Sequence, residues 1–242
     1  MNVHPVLMLL LLGHVLGDFY FQPKTMADKK DNSWLWLAGH SVIYALCVAA
    51  VLLPGAYYSL NLLFIFLTTS VSHLIVDIIK RFIKWKKFII DQLAHLAFLG
   101  SSWMIWGKVI QSRPFVLVTF DYLQKSIILV VLGLLCVLRP VALLIEHGDI
   151  WDFSKGKTPP NESQKGAGRM IGYLERTLVF FLLLNGQYAA IAFVMTAKSV
   201  ARFPEISSNG EGRTQAEYYL IGTLLSMTSV FAISFLLGLQ KA

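Results

Sequence analysis

Three His/Asp pairs stand four residues apart in apolar surroundings: His14-x-x-x-Asp18, His73-Leu-Ile-Val-Asp77 and Asp91-Gln-Leu-Ala-His95. His40 sits in a further apolar run, Gln22 follows the first pair, and Gln92 lies inside the third. On a helix, a spacing of four puts both side chains on one face about one turn apart. Imidazole and carboxylate together form a donor set for zinc, manganese or iron. So many donors suit one divalent metal with an open position, or two metals. The metal-ligand candidates are therefore His14, Asp18, His40, His73, Asp77, Asp91 and His95. A metal in such a place lowers the pKa of bound water toward neutrality and makes it a nucleophile. A carboxylate left over from ligation, among Asp18, Asp77 and Asp91, is then a candidate general base. A proton or ion relay and a plain structural polar network are the other uses of such residues.

The elements that must position them are helices. Of the 242 residues 56% are hydrophobic and only 14% charged, against about 25% charged in a soluble domain. A bilayer core takes about 20 apolar residues per helix. Apolar runs at roughly 4–21, 34–54, 58–79, 88–106, 125–145, 170–196 and 216–239 read as about seven spans. The expected fold is all-α, a polytopic transmembrane bundle in a single membrane domain. Residues 1–106 bear the site, and 107–242 support it with a polar loop at 146–169. Cys47 and Cys136 fall within apolar runs and read as small buried hydrophobes. No GxSxG, CxxC or Gly-rich dinucleotide fingerprint occurs.

The net charge of +7 is not a nucleic-acid footprint, because its placement alternates along the chain. Lys24, Lys29 and Lys30 follow the first run, and Lys80, Arg81, Lys84, Lys86 and Lys87 separate the third and fourth. Lys155, Lys157, Lys165 and Arg169 separate the fifth and sixth. This is the positive-inside pattern, and it puts the N-terminus outside and the C-terminus inside. Lys198, Arg202 and Arg213 are a mild exception on the expected outer side. Trp34, Trp36, Trp85, Trp103 and Trp106 near the run ends fit an aromatic belt. In this topology Asp18, Asp77 and Asp91 share a layer near the cytoplasmic surface. His14, His73 and His95 lie ~6 Å deeper, with His40 able to join them. The third and fourth spans form a hairpin that faces His73 to His95 and Asp77 to Asp91. Two carboxylates so close repel unless a cation lies between them.

These motifs resemble a bacterial membrane family catalogued as a domain of unknown function, DUF3307. The resemblance runs through His14, Gly17-Asp18, Gln22, His40, His73-Leu-Ile-Val-Asp77 and Asp91-Gln-Leu-Ala-His95. It continues through Gly168-Arg-Met-Ile-Gly-Tyr-Leu-Glu-Arg176, Gly186-Gln187, Ala197-Lys-Ser-Val-Ala-Arg-Phe203 and Glu217-Tyr-Tyr-Leu-Ile-Gly-Thr-Leu-Leu-Ser226. It carries no assigned activity. The first half is also loosely similar to inner-membrane metal-dependent hydrolases, in residue types rather than in an exact motif.

In the second half, Glu175 and Arg176 sit on the cytoplasmic side of the sixth run, where Arg176 is placed to reach a phosphate or carboxylate near the histidines. Lys198 and Arg202 share a face at the outer end, where an ion pair with Glu217 is expected. Gln187, near the middle of that run, is expected to hydrogen-bond between helices. Gly172, Gly186 and Gly222 are expected at close helix contacts. Glu146-His147-x-Asp149 reads as a solvated loop. The function these readings favour is a metal-dependent hydrolase in a bacterial inner membrane, acting on a lipid or other amphipathic ester or phosphoester at the cytoplasmic leaflet. An ion- or proton-coupled transporter is the alternative. A sensor or anchor that binds a cytoplasmic protein through the basic 80–87 and 146–169 segments is another.

Overall fold

The computed structural model describes residues 5–52, 60–83, 88–111, 122–147, 162–201 and 211–239, and every regular element among them is helical. In order these are α1 (Pro5–Val15), a π-helical turn (Leu16–Tyr20), α2 (Lys24–Lys30), α3 (Trp34–Leu52), α4 (Leu60–Ile83), α5 (Phe88–Gln111), α6 (Tyr122–His147), α7 (Glu162–Leu184), α8 (Tyr188–Ala201) and α9 (Glu211–Leu236). Among the described residues four helices are long and apolar enough to cross a membrane, within Trp34–Leu52, Leu63–Ile83, Phe88–Trp106 and Lys125–Glu146. A fifth span results if Val6–Tyr20 and Lys24–Lys30, bent by 93° at Pro23, count as one. The molecule thus has the long apolar helices of a membrane protein, in four to five candidate spans where the sequence suggested seven. Lys84, Trp85, Lys86, Lys87, Asp149, Lys155, Lys157 and Arg202 lie outside the described residues.

The chain divides into two compact units, 2–132 and 133–242 apart from Met1, with the division inside α6. In the N-terminal unit the helices sort apolar and polar side chains twice over. Around each helix, apolar residues point outward: on α4 the exposed Leu67, Val71, Ile75 and Ile79 recur every four residues. The opposite face of α4 buries Ile65, Thr69, His73 and Asp77 at the same spacing. Along the helices, one end of the unit is dry. Val6, Leu9 and Leu10 of α1 meet Tyr44, Val48 and Leu52 of α3, Ile65 of α4 and Leu99 of α5. The other end holds the histidines and aspartates. Glycines set the closest approach: a Cβ on Gly13 would stand 3.1 Å from the Val48 Cα, and one on Gly17 only 2.8 Å from the Tyr44 ring. Small residues at such a spacing let helix backbones touch.

In the C-terminal unit the expected sixth span is broken. Its apolar run turns at Asn185-Gly186-Gln187, where Gly186 has φ +67°, a left-handed conformation that favours glycine. α8 then runs back beside α7, so that Lys198 forms an ion pair with Glu175, 2.5 Å apart. Lys198 is therefore not at the far end of a single span, and its partner is on α7. The Glu217 side chain is outside the described residues. Glu146 at the end of α6 accepts two hydrogen bonds of 3.0 Å from Arg169, so it is engaged rather than merely solvated. Of the glycines expected at helix contacts, Gly186 makes the turn, Gly222 faces open space, and a Cβ on Gly172 would crowd the Arg176 guanidinium. Gln187 lies in the same turn, its backbone N–H bonded to the Leu182 carbonyl.

Candidate metal centre

The helices of the N-terminal unit bring all seven predicted donors together. α1 and its π turn supply His14 and Asp18, α3 His40, α4 His73 and Asp77, and α5 Asp91 and His95. The π turn closes with the Phe21 N–H on the Leu16 carbonyl, five residues back, at 2.8 Å. Such turns occur mostly at functional sites, and this one carries Asp18. All seven side chains are buried, with Asp18 at 4% exposure and His40 at none.

Four atoms converge most tightly. His40 Nε2 and His73 Nε2 are 3.1 Å apart, and each is 3.2 Å from Asp18 Oδ1. Asp77 Oδ2 lies 3.4 Å from His40 Nε2 and 3.6 Å from His73 Nε2. A zinc ion with tetrahedral N and O ligands at 2.0–2.1 Å has them about 3.3–3.4 Å apart. These five separations bracket that edge length, and with His14 the donors divide into two overlapping trios, Asp18 with His14 and His73 and Asp77 with His40 and His73. Asp18 Oδ1 and Asp77 Oδ2 are buried and make no hydrogen bond in the structure. Buried carboxylate oxygens are seldom left so without a cation.

A second group adjoins the first through the Asp77 carboxylate. His95 Nε2 lies 3.8 Å from Asp77 Oδ1 and 3.7 Å from Asp91 Oδ1, and the donor atoms of Asp77, Asp91 and His95 are all within 4.8 Å of one another. Here three protein donors leave a tetrahedral position open. The facing pairs expected from depth are present, with His73 and His95 stacked at 4.1 Å between ring centres. The two layers expected from the topology interdigitate instead, since Asp18 reaches the same nitrogens as Asp77.

His14 completes the rim. Its Nε2 faces Gln92 Oε1 at 3.3 Å, which as an amide oxygen accepts. That leaves Nδ1 as the free lone pair, 3.9 Å from Asp18 Oδ2. A hydrogen bond that fixes the tautomer of an imidazole donor in this way is usual around metals. The Nδ1 atoms of His40, His73 and His95 make none in the structure. Gln22 stands at the bend before α2, its Nε2 buried without a hydrogen bond.

Three residues of the centre lie beyond the sequence reading. Tyr44 stacks on His73 at 3.5 Å, nearly parallel. Its spacing from His40 put it on the same face of α3 one turn on. Lys30 donates to Asp77 Oδ1 at 2.9 Å, and Lys80 to Asp91 Oδ2 at 2.9 Å. Both lysines read in the sequence as flanking charges, and only the bend at Pro23 and the length of α4 bring them in.

Arg176 does not join a phosphate or carboxylate. Its Nε donates to the Val137 carbonyl at 2.6 Å, Nη2 to that of Leu138 at 3.3 Å, and Nη1 to Ser226 Oγ at 3.2 Å. Pro140 lies in the same stretch of α6, two to three residues beyond the carbonyls that Arg176 holds.

No curated protein and no solved structure matches the chain. A family model described as a protein of unknown function, DUF3307, matches residues 6–132. The match takes in every donor of the centre and ends before the C-terminal motifs. The chain belongs to the DUF3307 family.

Proposed function

We propose that this protein is a metal-dependent hydrolase of a cytoplasmic membrane, acting on an amphipathic ester at the cytoplasmic leaflet. The observation that carries it is the set of overlapping three-donor groups His14–Asp18–His73, His40–His73–Asp77 and Asp77–Asp91–His95, each close enough to hold one metal ion. A metal held by one of these three-donor groups would keep a position open, as in catalytic zinc sites. A divalent cation held by these residues would supply Lewis acidity and lower the pKa of water. The chain's own residues do the rest. Asp91 would offer Oδ1 to the metal while Lys80 holds its Oδ2 in place. His14, held by Gln92, would offer its Nδ1 lone pair to a metal beside Asp18 and His73. Tyr44 packs over His73 and keeps bulk water from its face.

Sidedness follows from charge. The centre lies beside α2, which carries Lys24, Lys29 and Lys30, and the end of α4 that carries Lys80 and Arg81, and basic flanks mark the cytoplasmic side. The clustering of donors at this one end favours hydrolysis over ion transport, since a relay needs ionisable groups across the whole thickness.

The decisive experiment is elemental analysis of protein purified without chelator. We expect zinc at up to two ions per chain, lost from Asp18→Ala and His73→Ala variants that keep the helical content of the wild type. Metal-free wild-type protein, still metal-free after incubation with zinc, manganese or iron, would refute the reading.

A further inference from the structure

From Lys30 and Lys80 we infer that the ester is a phosphomonoester, bound through its anionic phosphate, and not a neutral carboxylic ester. The inference rests on the hydrolase reading above and deepens it.

The argument is one of charge in a dry place. Asp18, Asp77 and Asp91 bring three negative charges, and Lys30 and Lys80 bring two positive ones. Imidazoles that ligate a metal are neutral. The layer by itself therefore stands at −1. Two divalent cations raise it to +3, and the loss of one proton from a water molecule leaves +2. Uncompensated charge at membrane depth costs several kcal/mol, so it requires a partner. A phosphomonoester dianion cancels it, whereas a neutral ester leaves it standing. Without the two lysines the same loaded centre would be neutral and suited to an uncharged ester. The lysines thus decide the charge of the substrate.

Their placement agrees. Each ammonium meets an oxygen on the Asp77–Asp91–His95 group, which has an open position: Lys30 on Asp77 Oδ1 and Lys80 on Asp91 Oδ2. When cations share those carboxylates, both ammoniums are free to turn to a phosphate beside them, as charge-assisted donors. Lys80 is 17% exposed and Lys30 6%, while Asp77 and His95 are at 1%. Lys80 is thus the most exposed group of the layer and stands where a headgroup would enter, while Lys30, no more exposed than Asp91 at 8%, lies deeper. In hydrolysis the water oxygen bonds to phosphorus and the P–O bond to the alcohol breaks. Its electron pair stays on the alcohol oxygen, which receives the proton taken from water. The products are inorganic phosphate and the free alcohol.

The test is calorimetric titration of the zinc-loaded full-length protein in nanodiscs. Methylphosphonate serves as the soluble probe, and phosphatidic acid against diacylglycerol in the disc as the lipid probe. Zinc content is measured on the same samples. We expect methylphosphonate to bind the wild type, and Lys30→Met and Lys80→Met each to weaken it about tenfold or more with zinc content unchanged. Lys30→Arg and Lys80→Arg should retain most of the affinity, which separates lost charge from lost folding. Competition by phosphatidic acid and not by diacylglycerol would identify the phosphate as a lipid headgroup. Competition by neither would assign it to a soluble phosphomonoester. Zinc-loaded wild type that ignores methylphosphonate, or Met variants that bind it as well as wild type, would overturn this inference and leave the hydrolase reading intact. Wild type that takes up no metal would overturn both.

Discussion

The two units bury charge in opposite ways. In the C-terminal unit the guanidinium of Arg176 is 3% exposed and its three nitrogens all donate, to two carbonyls of α6 and a serine of α9. In the N-terminal unit seven donors converge, yet Asp18 Oδ1, Asp77 Oδ2, Asp91 Oδ1 and His95 Nε2 make no hydrogen bond. A satisfied buried charge holds helices together. A set of lone pairs aimed at a common point is prepared for something else. Burial alone does not separate structure from function here. Satisfaction does.

The comparison can be broken most sharply at Asp77, which belongs to both donor groups. Asp77→Ala should remove metal from both positions and lower zinc content to background, while Arg176→Met should leave zinc content unchanged. If Arg176→Met abolishes zinc binding too, the division of labour between the units is wrong. Gln92→Leu should give a smaller loss on the same side of the comparison. By releasing His14 it is expected to weaken zinc binding about 10–100-fold, the usual cost of losing a partner behind a metal ligand, readable by competition with a chelator of known affinity. On the other side, Arg176→Met should lower stability in detergent by about 1–3 kcal/mol for each acceptor left unpaired. A thermal-shift assay reads this as a lower midpoint at unchanged zinc content.

The smallest effect concerns sidedness alone. The apolar part of α7, Met170–Leu184, and the 14 residues of α8 each reach about 21–23 Å at 1.5 Å per residue, short of a ~30 Å hydrocarbon core. A hairpin of that depth enters and leaves on one side. Gly168→Cys and Ala201→Cys, in a background lacking Cys47 and Cys136, should then react with an impermeant reagent from the same side. Labelling from opposite sides would restore the single span that hydropathy suggested. With both labelled from one side, Lys198, Arg202 and Arg213 are no longer exceptions to the positive-inside pattern, and the C-terminus moves to the outer side.

The donors were legible in the sequence because two independent signals coincided. Spacing put His and Asp on common faces, and the alternation of basic flanks put the pairs at one depth. What was not legible came from bends. Hydropathy averages over Asn185-Gly186-Gln187, although those three residues are a turn signal inside an apolar run. Pro140 sits in the run that became α6, and nothing in the sequence said that Arg176, 36 residues later, would serve the carbonyls around it. Lys30 entered the centre because the chain turns by 93° after the first span, a direction that no local pattern records.

The π turn at Leu16–Tyr20 has a consequence for how this sequence tolerates change. It holds one residue more than an α-helical turn of similar height would need, since its closing hydrogen bond spans five residues. Deleting a single residue there would let the strand of backbone relax into an ordinary α-helix, still apolar and still able to insert. The residues inside the turn would be placed anew against α3 and α4, shifting the Asp18 carboxylate relative to His40 and His73. The first span is thus one codon from being a plain membrane helix, and a length change of one in this turn should silence the centre more completely than most substitutions around it.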